Sequence, residues 1–365
     1  MAILPPIPRL PYLQDYESES WFAFERAGNT CRKTFGRHGF APIDTPIIEL
    51  EELFLRKSGG ELASRLFSFN DPVGNRVSLR AEFTAPIIRH LIDKNHLGNG
   101  GVKVSYSGPV FRYTAERENG DSAFEGSFTQ AGAEHIGESG PGVDGQLLAV
   151  AVEGITELGM TAPKVSLGHV RVLESLLKPL NLSSSARHFL VNSVAQLASG
   201  GKEEVRATAE RSGMVGAAGL PAEAAVRDSI DQKVDPSLLI DILHEPLSEF
   251  TGSRTPQEIA TGLANKMKDQ TDPSDFEEAM DRLIRISSAG GGAGLAVDAG
   301  RSVFRAYEDR SVGTTAIDDL SEVVDEALSA GVTESSLEID FGLAREITYY
   351  TGMVFDLVRQ GDGSV

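Results

Sequence analysis

The stretch Val104–Gly137 decides the fold of this chain; it reads V-S-Y-S-G-P-V-F-R-Y-T-A-E-R-E-N-G-D-S-A-F-E-G-S-F-T-Q-A-G-A-E-H-I-G. Strands are predicted at about Lys103–Tyr113 and at about Phe128–Ile136, on either side of a polar loop. That loop contains Asn119 followed by Gly120, a dipeptide that is typical of tight turns. The stretch therefore predicts an antiparallel hairpin with a polar loop at its tip.

The second strand of this hairpin carries a candidate ligand-binding face. Gln130, Gly132 and Glu134 are spaced two residues apart, so on a strand their side chains share one face. A glutamine and a carboxylate on either side of a residue without a side chain form a notch that suits a polar ring. The competing interpretation is that alternating polar residues are simply the solvated face of an antiparallel sheet.

A second candidate segment, Val77–His90, reads V-S-L-R-A-E-F-T-A-P-I-I-R-H. A short strand runs into Glu82 and Thr84, and a helix is predicted to start near Ala85–Pro86. Proline is favoured in the first helical turn, where its missing N–H would be unpaired in any case. Glu82 and Thr84 are therefore placed either to bind a ligand or to cap the free N–H groups of this helix.

A third segment, Ile339–Asp356, reads I-D-F-G-L-A-R-E-I-T-Y-Y-T-G-M-V-F-D. It places Arg345, Tyr349 and Tyr350 next to a Thr-Gly turn in an apolar, strand-like context. A guanidinium and tyrosine hydroxyls beside a tight glycine turn suit a pocket that holds a small polar ligand.

The rest of the chain adds helices around these segments. Between about Ala186 and Glu308 the sequence is largely helical, and we interpret the glycine-rich run 287–295 inside it as a flexible connector rather than a phosphate-binding loop. Other predicted elements are a helix at Trp21–Phe40, an extended segment at Ala41–Glu49, a helix at Ala316–Ala330 and a strand at Ser336–Gly342.

Composition restricts the class of protein. The 365 residues include 34 basic and 53 acidic side chains, a net charge of −19, which counts against a nucleic-acid ligand without excluding one. Cys31 is the only cysteine, so the sequence contains no intrachain disulfide, and the seven histidines show no metal-ligand spacing. The N-terminal residues lack the pattern of a secretory signal, and no apolar run is long enough to span a bilayer. We therefore expect a soluble, cytoplasmic protein without a metal or a cofactor.

Together the three segments resemble the histidinyl-tRNA synthetase family. Its members carry the sequence L-R-P-E-G-T-A, then the hairpin called motif 2, and then the sequence R-G-L-D-Y-Y-T-G-x-V-F-E. The resemblance implies an α+β, class II synthetase-like fold: a mixed, mainly antiparallel sheet flanked by helices, with a helical insertion. It divides the chain into a first core part at 1–180, the insertion at 181–310 and a return to the core at 311–365. Pro46 matches the proline of motif 1, which the family uses for dimerisation; the competing interpretation is a turn proline at a strand edge.

The resemblance also implies roles for individual residues. Glu82 and Thr84 match residues that hold the amino group of histidine, and Gln130 and Glu134 match residues that bind histidine, with the glutamate reaching the imidazole. Arg112 matches the arginine that contacts the ATP α-phosphate. The implied histidine-binding set is Glu82, Thr84, Arg112, Gln130, Glu134, Arg345, Tyr349 and Tyr350, with no catalytic residue and no metal ligand.

Departures from the family pattern favour its non-synthetase branch. Ala81, Phe83, Thr114, Glu346 and Thr348 stand where the family prefers Pro, Gly, Glu, Gly and Asp. The hairpin loop at 115–124 contains three acidic side chains and a single arginine, a balance that would repel a triphosphate. The sequence also ends before the motif 3 segment and the anticodon-binding domain of the synthetases.

These departures indicate a non-catalytic regulatory subunit of ATP phosphoribosyltransferase in histidine biosynthesis, which binds L-histidine and activates or feedback-regulates the catalytic subunit. The implied partners are that catalytic subunit and a second copy of the chain, within a hetero-oligomer, and the charge does not favour tRNA. Two alternatives stay open. One is the catalytic region of a histidinyl-tRNA synthetase, a histidine–tRNA ligase, from a longer chain. The other is a binding module for a different amino acid, or an interaction protein with a vestigial pocket, which the same five departures also support.

Overall fold

The structure, a computed structural model, describes residues 7–10, 12–96, 100–113, 126–215, 271–307, 314–343 and 351–359, with the backbone alone at 57–62. The helices are α1 (Ser18–Arg37), α2 (Glu51–Ala63), α3 (Thr84–Asp93), α4 (Pro141–Glu157), α5 (Val170–Leu177), α6 (Ser184–Asn192), α7 (Val194–Ala198), α8 (Lys202–Arg211), α9 (Pro273–Ser287), α10 (Ala293–Arg305) and α11 (Thr315–Ser329). The strands are β1 (Ala41–Pro42), β2 (Ile48–Leu50), β3 (Ser68–Asn70), β4 (Arg76–Leu79), β5 (Val102–Phe111), β6 (Ser127–Ile136), β7 (Lys164–His169), β8 (Gly291–Gly292), β9 (Leu337–Ile339) and β10 (Met353–Val358).

The described strands pair mainly antiparallel, in the orders β1-β5-β6, β2-β4-β3 and β10-β7-β9-β8. Parallel pairing occurs where β1 meets β5 and where β7 meets β9. The predicted hairpin is confirmed: β5 and β6 pair over their full lengths, with Tyr106 directly opposite Gly132 and Gly108 opposite Gln130. Helices cover these strands, so the fold has the mixed, mainly antiparallel class that the sequence predicted.

Two separate clusters of buried apolar side chains hold these elements together. The larger, which we call the helical core, packs α4, α5 and the helices from α6 to α11 around β7 and β9, and includes Leu167, Leu173, Phe276, Phe304 and Leu320. The smaller, which we call the hairpin core, lies between α3 and the hairpin; its buried members are Phe83, Ile87, Leu91, Val104, Tyr106 and Val110.

Helix α3 begins where the sequence predicted and lies across one face of the hairpin. Its buried residues Pro86, Ile87 and Leu91 follow helical spacing, so one side of the helix is apolar. Because Ile87 and Leu91 pack in the hairpin core, Thr84 at the start of α3 is held above the hairpin. The packing of α3 therefore positions the candidate residues of Val77–His90 against those of the second hairpin strand.

The glycine-rich run 287–295 corrects the sequence interpretation, because it is not a connector. It contains the end of α9, the strand β8 and the first turn of α10. Gly291 pairs with Ile339 and Gly292 with Glu338, and a Cβ atom on Gly290 would lie 2.8 Å from the carbonyl oxygen of Ile339. The glycines are needed for this close approach of two backbones, which a sequence pattern alone does not distinguish from flexibility.

The second zone is helical where the structure describes it, from α6 to α8 and again at α9 and α10. Helix α6 begins at a capping serine, Ser183, whose hydroxyl accepts from the Ala186 N–H at 3.1 Å. Helix α9 begins at Asp272 and Pro273, a cap followed by a proline in the first turn. The division of the chain at residues 180 and 310 stays a prediction.

Candidate functional site

The candidate site lies where the N-terminus of α3 meets the middle of β6. The Thr84 hydroxyl donates a hydrogen bond to Glu134 Oε1 at 2.7 Å, across fifty residues of sequence. Two of the three predicted segments are thus brought together by a direct contact. We call Glu82, Thr84, Tyr106, Gln130 and Glu134 the hairpin site.

Glu82 caps the helix, as the structural alternative in the sequence had it. Both of its carboxylate oxygens accept from the Ala85 N–H, at 3.0 and 3.2 Å. Burial raises the pKa of the Glu82 carboxyl above its usual value of 4.5, and the N–H groups of Ala85 and Thr84 offset only part of that rise. Capping does not consume the carboxylate, because two oxygens together offer about four acceptor positions.

Glu134 is a second buried carboxyl close to the first. Burial raises its pKa above 4.5, and the nearby charge of Glu82 raises it further, whereas the hydrogen bond from Thr84 lowers it. The Tyr106 hydroxyl lies 3.5 Å from Glu134 Oε1, and burial together with both carboxylates raises the pKa of this phenol above 10. The site therefore holds two partly desolvated carboxyls whose charge a cationic or N–H-bearing ligand would stabilise.

The notch above Gly132 is filled from within the chain, which corrects the interpretation of this position as a grip for a ligand ring. A Cβ atom on Gly132 would lie 2.4 Å from the Tyr106 hydroxyl oxygen, so glycine is required for Tyr106 to lie here. Gln130 lies on the same face of β6, and its Oε1 atom is buried without a hydrogen-bond partner among the described residues. A buried acceptor without a donor costs free energy, so a ligand N–H at this position would be stabilised.

A stack of three planar groups supports Tyr106 from the protein interior. The Phe83 ring stacks on the Tyr106 ring with centroids 4.4 Å apart, and the Arg80 guanidinium lies 3.8 Å from the Phe83 ring centroid. Arg80 is almost completely buried, and it donates to the Thr45 carbonyl at 2.6 Å and to Asp44 Oδ1 at 2.9 Å. Phe83, which departs from the family glycine, thus fills space beneath the site rather than in it.

Tyr106 and Arg80 were missed by the sequence analysis. Tyr106 could have been found from the hairpin register, because pairing of the two strands sets an aromatic ring opposite a glycine. The buried position of Arg80 has no signal in the sequence, because it depends on Thr45 and Pro109, which are distant along the chain.

Arg112 lies at the end of the hairpin with its side chain held by the protein. Its Nε donates to the Ala81 carbonyl at 2.8 Å, and its guanidinium lies 4.9 Å from the Phe128 ring centroid. Its positive charge lowers the pKa of Glu82, although less than burial raises it. Arg112 is therefore within electrostatic range of the site and beside the residue that precedes Glu82.

The third predicted segment is described only in part. Arg345, Tyr349 and Tyr350 lie outside the described residues, as do Thr114 and the acidic hairpin loop. The Thr-Gly turn that follows the tyrosines is described: the Gly352 carbonyl accepts from the Val170 N–H at 3.0 Å, and β10 pairs with β7. The contributions of the arginine and the two tyrosines to the site stay predictions.

The described part of the site is a set of acceptors without an evident nucleophile-and-base pair. Ionised Glu82 and Glu134 only accept hydrogen bonds, and Gln130 presents an unpartnered oxygen. Such a set is chemically complementary to a ligand that carries several N–H groups and a positive charge. Within the described ranges, no group of three or more His, Cys, Asp and Glu side chains is placed to hold a metal ion, and no helix has both the length and the hydropathy to cross a membrane.

The chain is similar in sequence to proteins of known family. A family model described as histidyl-tRNA synthetase matches residues 12–228. A histidine–tRNA ligase of Methanococcus vannielii is 26% identical over 333 residues, which cover 91% of this chain and 61% of that protein. An ATP phosphoribosyltransferase regulatory subunit of Halothermothrix orenii is 30% identical over 173 residues, 47% of this chain and 40% of that protein. The chain thus spans about three fifths of the length of the Methanococcus relative.

A solved structure gives the same picture of the fold. It is that of an ATP phosphoribosyltransferase regulatory subunit/histidyl-tRNA synthetase from Bacillus halodurans, with a TM-score of 0.66. The match covers 99% of this chain and 75% of that one, at 18% identity, a level at which the likeness concerns the fold alone.

Proposed function

The chain belongs to the histidyl-tRNA synthetase family, and from this premise we propose that it binds L-histidine at the hairpin site and serves as a regulatory subunit of an ATP phosphoribosyltransferase. The observation that carries the proposal is the contact of Thr84 with the buried carboxyl of Glu134, on the strand that also presents the unpartnered oxygen of Gln130. These acceptors suit a small ligand with a positive charge and N–H donors.

L-histidine supplies the groups that this set of acceptors lacks. Its imidazole N–H can donate to Glu134, and its ammonium can donate to Glu82 and to the lone pairs of the Thr84 hydroxyl. A charge-assisted hydrogen bond to a buried carboxylate contributes about 1.5–3 kcal/mol, because water competes little for either partner. The ligand would also remove the cost of keeping the Gln130 oxygen buried without a donor.

The regulatory role is supported by replacements at positions where the synthetases bind ATP. Thr114 replaces a family glutamate, and the acidic hairpin loop offers one arginine, so the cations that clamp a triphosphate are scarce. Transition-state stabilisation in adenylation is mostly electrostatic, so this loss should cost orders of magnitude in rate. A chain that binds histidine without activating it is suited to sense histidine and shift the activity of a partner.

A second copy of the chain is the other proposed partner. Large apolar side chains are exposed along α1, β2 and the segment before β2. They are Trp21, Phe22, Phe24, Ile47, Ile48 and Leu50, each between 41% and 55% exposed. This surface coincides with the motif 1 region, so sedimentation of the purified chain should give a dimer, and a monomer would contradict this part of the proposal.

Thermal denaturation with and without L-histidine tests the binding site. Saturating histidine should raise the melting temperature of the intact protein, because a ligand that binds only the native state stabilises it. Glu134→Ala should abolish the shift, whereas Glu203→Ala should retain it, because Glu203 is an exposed carboxylate distant from the hairpin. The absence of any shift with intact protein would reject the histidine site.

The pH dependence of histidine affinity gives an independent check on the two carboxyls. Burial raises the pKa of both Glu82 and Glu134, so they take up protons at a higher pH than exposed glutamates do. Histidine affinity should therefore fall as the pH is lowered toward 4.5, because protonated carboxyls no longer attract an ammonium. Because the imidazole of L-histidine also takes up a proton in this range, the measurement is compared with Glu82→Gln and Glu134→Gln; a pH dependence that both variants retain unchanged would show that neither carboxylate contacts the ligand.

The alternative function is that of a histidine–tRNA ligase. It is favoured by Arg112, which stands at the motif 2 arginine position, and by a Methanococcus relative that bears that name. Histidine-dependent exchange of pyrophosphate into ATP by the full-length gene product distinguishes the two functions. Measurable exchange, together with tRNA binding that persists at physiological salt, would replace the regulatory proposal with the synthetase.

Reconstitution with a catalytic phosphoribosyltransferase tests the regulatory role directly. The catalytic subunit should co-purify with this chain and become sensitive to histidine only in its presence. Because coupling between two ligands is reciprocal, substrates of the catalytic subunit should change the histidine affinity of this chain by the same factor. A catalytic subunit whose activity and histidine sensitivity are unchanged by this chain would overturn the regulatory role while leaving histidine binding intact.

A further inference from the structure

A cavity of about 430 Å³ lies behind the hairpin site, and the proposed histidine pocket does not use it. We call it the rear cavity; it is bounded by the second face of the hairpin, by α4 and by the turn at Ala330–Val332. Lys103 and His135 are direct cross-strand partners and both line it. Because neighbouring residues on a strand point to opposite faces, Glu134 faces the hairpin site while His135 faces the rear cavity.

One wall of the rear cavity is apolar. Val143, Leu147 and Val150 lie along a single side of α4, and Val332 closes the wall from the turn after α11. Val150 and Val332 are each 5% exposed, so their side chains are part of the packed interior. A cavity of this volume with an aliphatic wall has the size and the lining of a small-molecule site.

The two acidic side chains of the rear cavity share one guanidinium. Glu153 is ion-paired with Arg37 at 2.6 Å, and its Oε2 atom lies 2.6 Å from His38 Nε2. Glu157 is ion-paired with the same guanidinium and accepts a hydrogen bond from Thr34. These contacts tie the end of α1 to α4, and each of the two carboxylates already has a partner.

The basic side of the cavity is not neutralised in the same way. Lys103 forms no ion pair with any described residue, and its ammonium lies 5.6 Å from the centroid of the Phe40 ring. The His135 side chain is only 5% exposed; its Nε2 lies 2.9 Å from Glu138 Oε2, at an angle that makes no hydrogen bond. Glu138 is half exposed, so water screens its charge from the cavity better than it screens that of a buried group.

We propose that the rear cavity is a second ligand site, which binds a small organic carboxylate with an apolar body. The carboxylate lies between the Lys103 ammonium and the His135 imidazole, and the apolar body lies against Val143, Leu147 and Val150. A cationic ligand would have to compete with Arg37 for the two glutamates, whereas Lys103 has no ion pair among the described residues to give up. The aliphatic wall decides against a bare inorganic anion, which would leave that surface uncovered.

A pair of isosteric probes tests this site with the full-length chain. Hexanoate should shift the methyl NMR resonances of Leu147 and Val150 in a saturable titration, and neutral hexanamide should bind about tenfold more weakly. Lys103→Met should weaken hexanoate binding by a similar factor while leaving hexanamide unchanged. Lys33→Met, which removes an exposed lysine from α1, should alter neither titration.

A steric variant separates the site from non-specific effects of charge. Leu147→Trp should fill the rear cavity and abolish binding of both probes, whereas Leu158→Trp, at an exposed position just after α4, should not. All four variants should keep the rise in melting temperature with L-histidine. An absence of hexanoate binding would therefore count against the rear cavity and not against the hairpin site. Absence of saturable hexanoate binding, equal affinity for acid and amide, or displacement of hexanoate by L-histidine would each overturn the proposal.

Discussion

The hairpin core and the helical core are built on opposite principles. The helical core joins elements from α4 to β10 through aliphatic and aromatic side chains, and many of these have no exposed surface. The hairpin core is small, and next to its apolar members it contains the carboxyls of Glu82 and Glu134, both with raised pKa values. The helical core stabilises the fold, whereas the hairpin core holds two carboxyls whose ionised forms are disfavoured by burial.

This difference indicates where the chain gives up stability for a function. Burying a carboxyl without a cationic partner costs free energy at neutral pH, and a native protein retains such a group when a ligand uses it. Among the described residues of the helical core, the clearest buried ionisable groups are His169 and Arg282. Arg282 has partners, because it donates to the Leu176 carbonyl and to Glu278. We therefore expect substitutions in the two cores to change the free energy of unfolding by different amounts and with different signs.

The largest effect is expected from truncating the helical core. Phe304 in α10 has no exposed surface, and Phe304→Ala should lower the free energy of unfolding by about 4 kcal/mol, the sum of lost apolar burial and a residual cavity. Leu295→Ala, in the same helix but with Leu295 82% exposed, should change it by less than about 0.5 kcal/mol. Urea denaturation measures both, and equal losses would contradict the assignment of the helical core as the main source of stability.

An intermediate effect is expected from His169, which is 3% exposed at the end of β7. Burial, together with a smaller contribution from the Arg171 charge, lowers its pKa from 6.5 to about 4, and Asp319 offsets part of the shift. Because the folded pKa is the lower one, stability is present above pH 6.5 and is lost as the pH falls toward 4, by up to about 3 kcal/mol. His169→Leu should flatten this loss in denaturation series at decreasing pH; an unchanged slope would exclude His169 as its source.

The smallest change in the free energy of unfolding is expected from substituting Glu134, and this change is an increase at neutral pH. Its folded pKa is raised, so its contribution favours folding below 4.5 and is lost as the pH rises through the folded value. Glu134→Gln should therefore stabilise the protein at neutral pH by on the order of 1 kcal/mol while it abolishes the histidine shift. The gain should shrink as the pH approaches 4.5. A variant that loses stability at neutral pH would indicate that the hairpin carboxyl is structural.

The sequence predicted local structure well where one residue pattern dominates. The helix at Trp21–Phe40 is α1, the hairpin strands are β5 and β6 within two residues of their predicted ends, and α3 begins at Thr84. Apolar periodicity and turn residues act over a few positions, so one chain segment is enough to read them. The glycine-rich run 287–295 was interpreted wrongly because its role depends on β9, which is distant in sequence.

The sequence by itself determined the acidic character of the chain, the alternation that sets Gln130 and Glu134 on one face, and the motifs that mark its family. Only the tertiary structure decided that Thr84 donates to Glu134, that Tyr106 fills the notch above Gly132, and that a second cavity lies behind His135. The physical reason is that pattern and propensity act within a segment. Burial, the desolvation of a carboxyl and the volume of a cavity arise only when segments distant in the chain pack together.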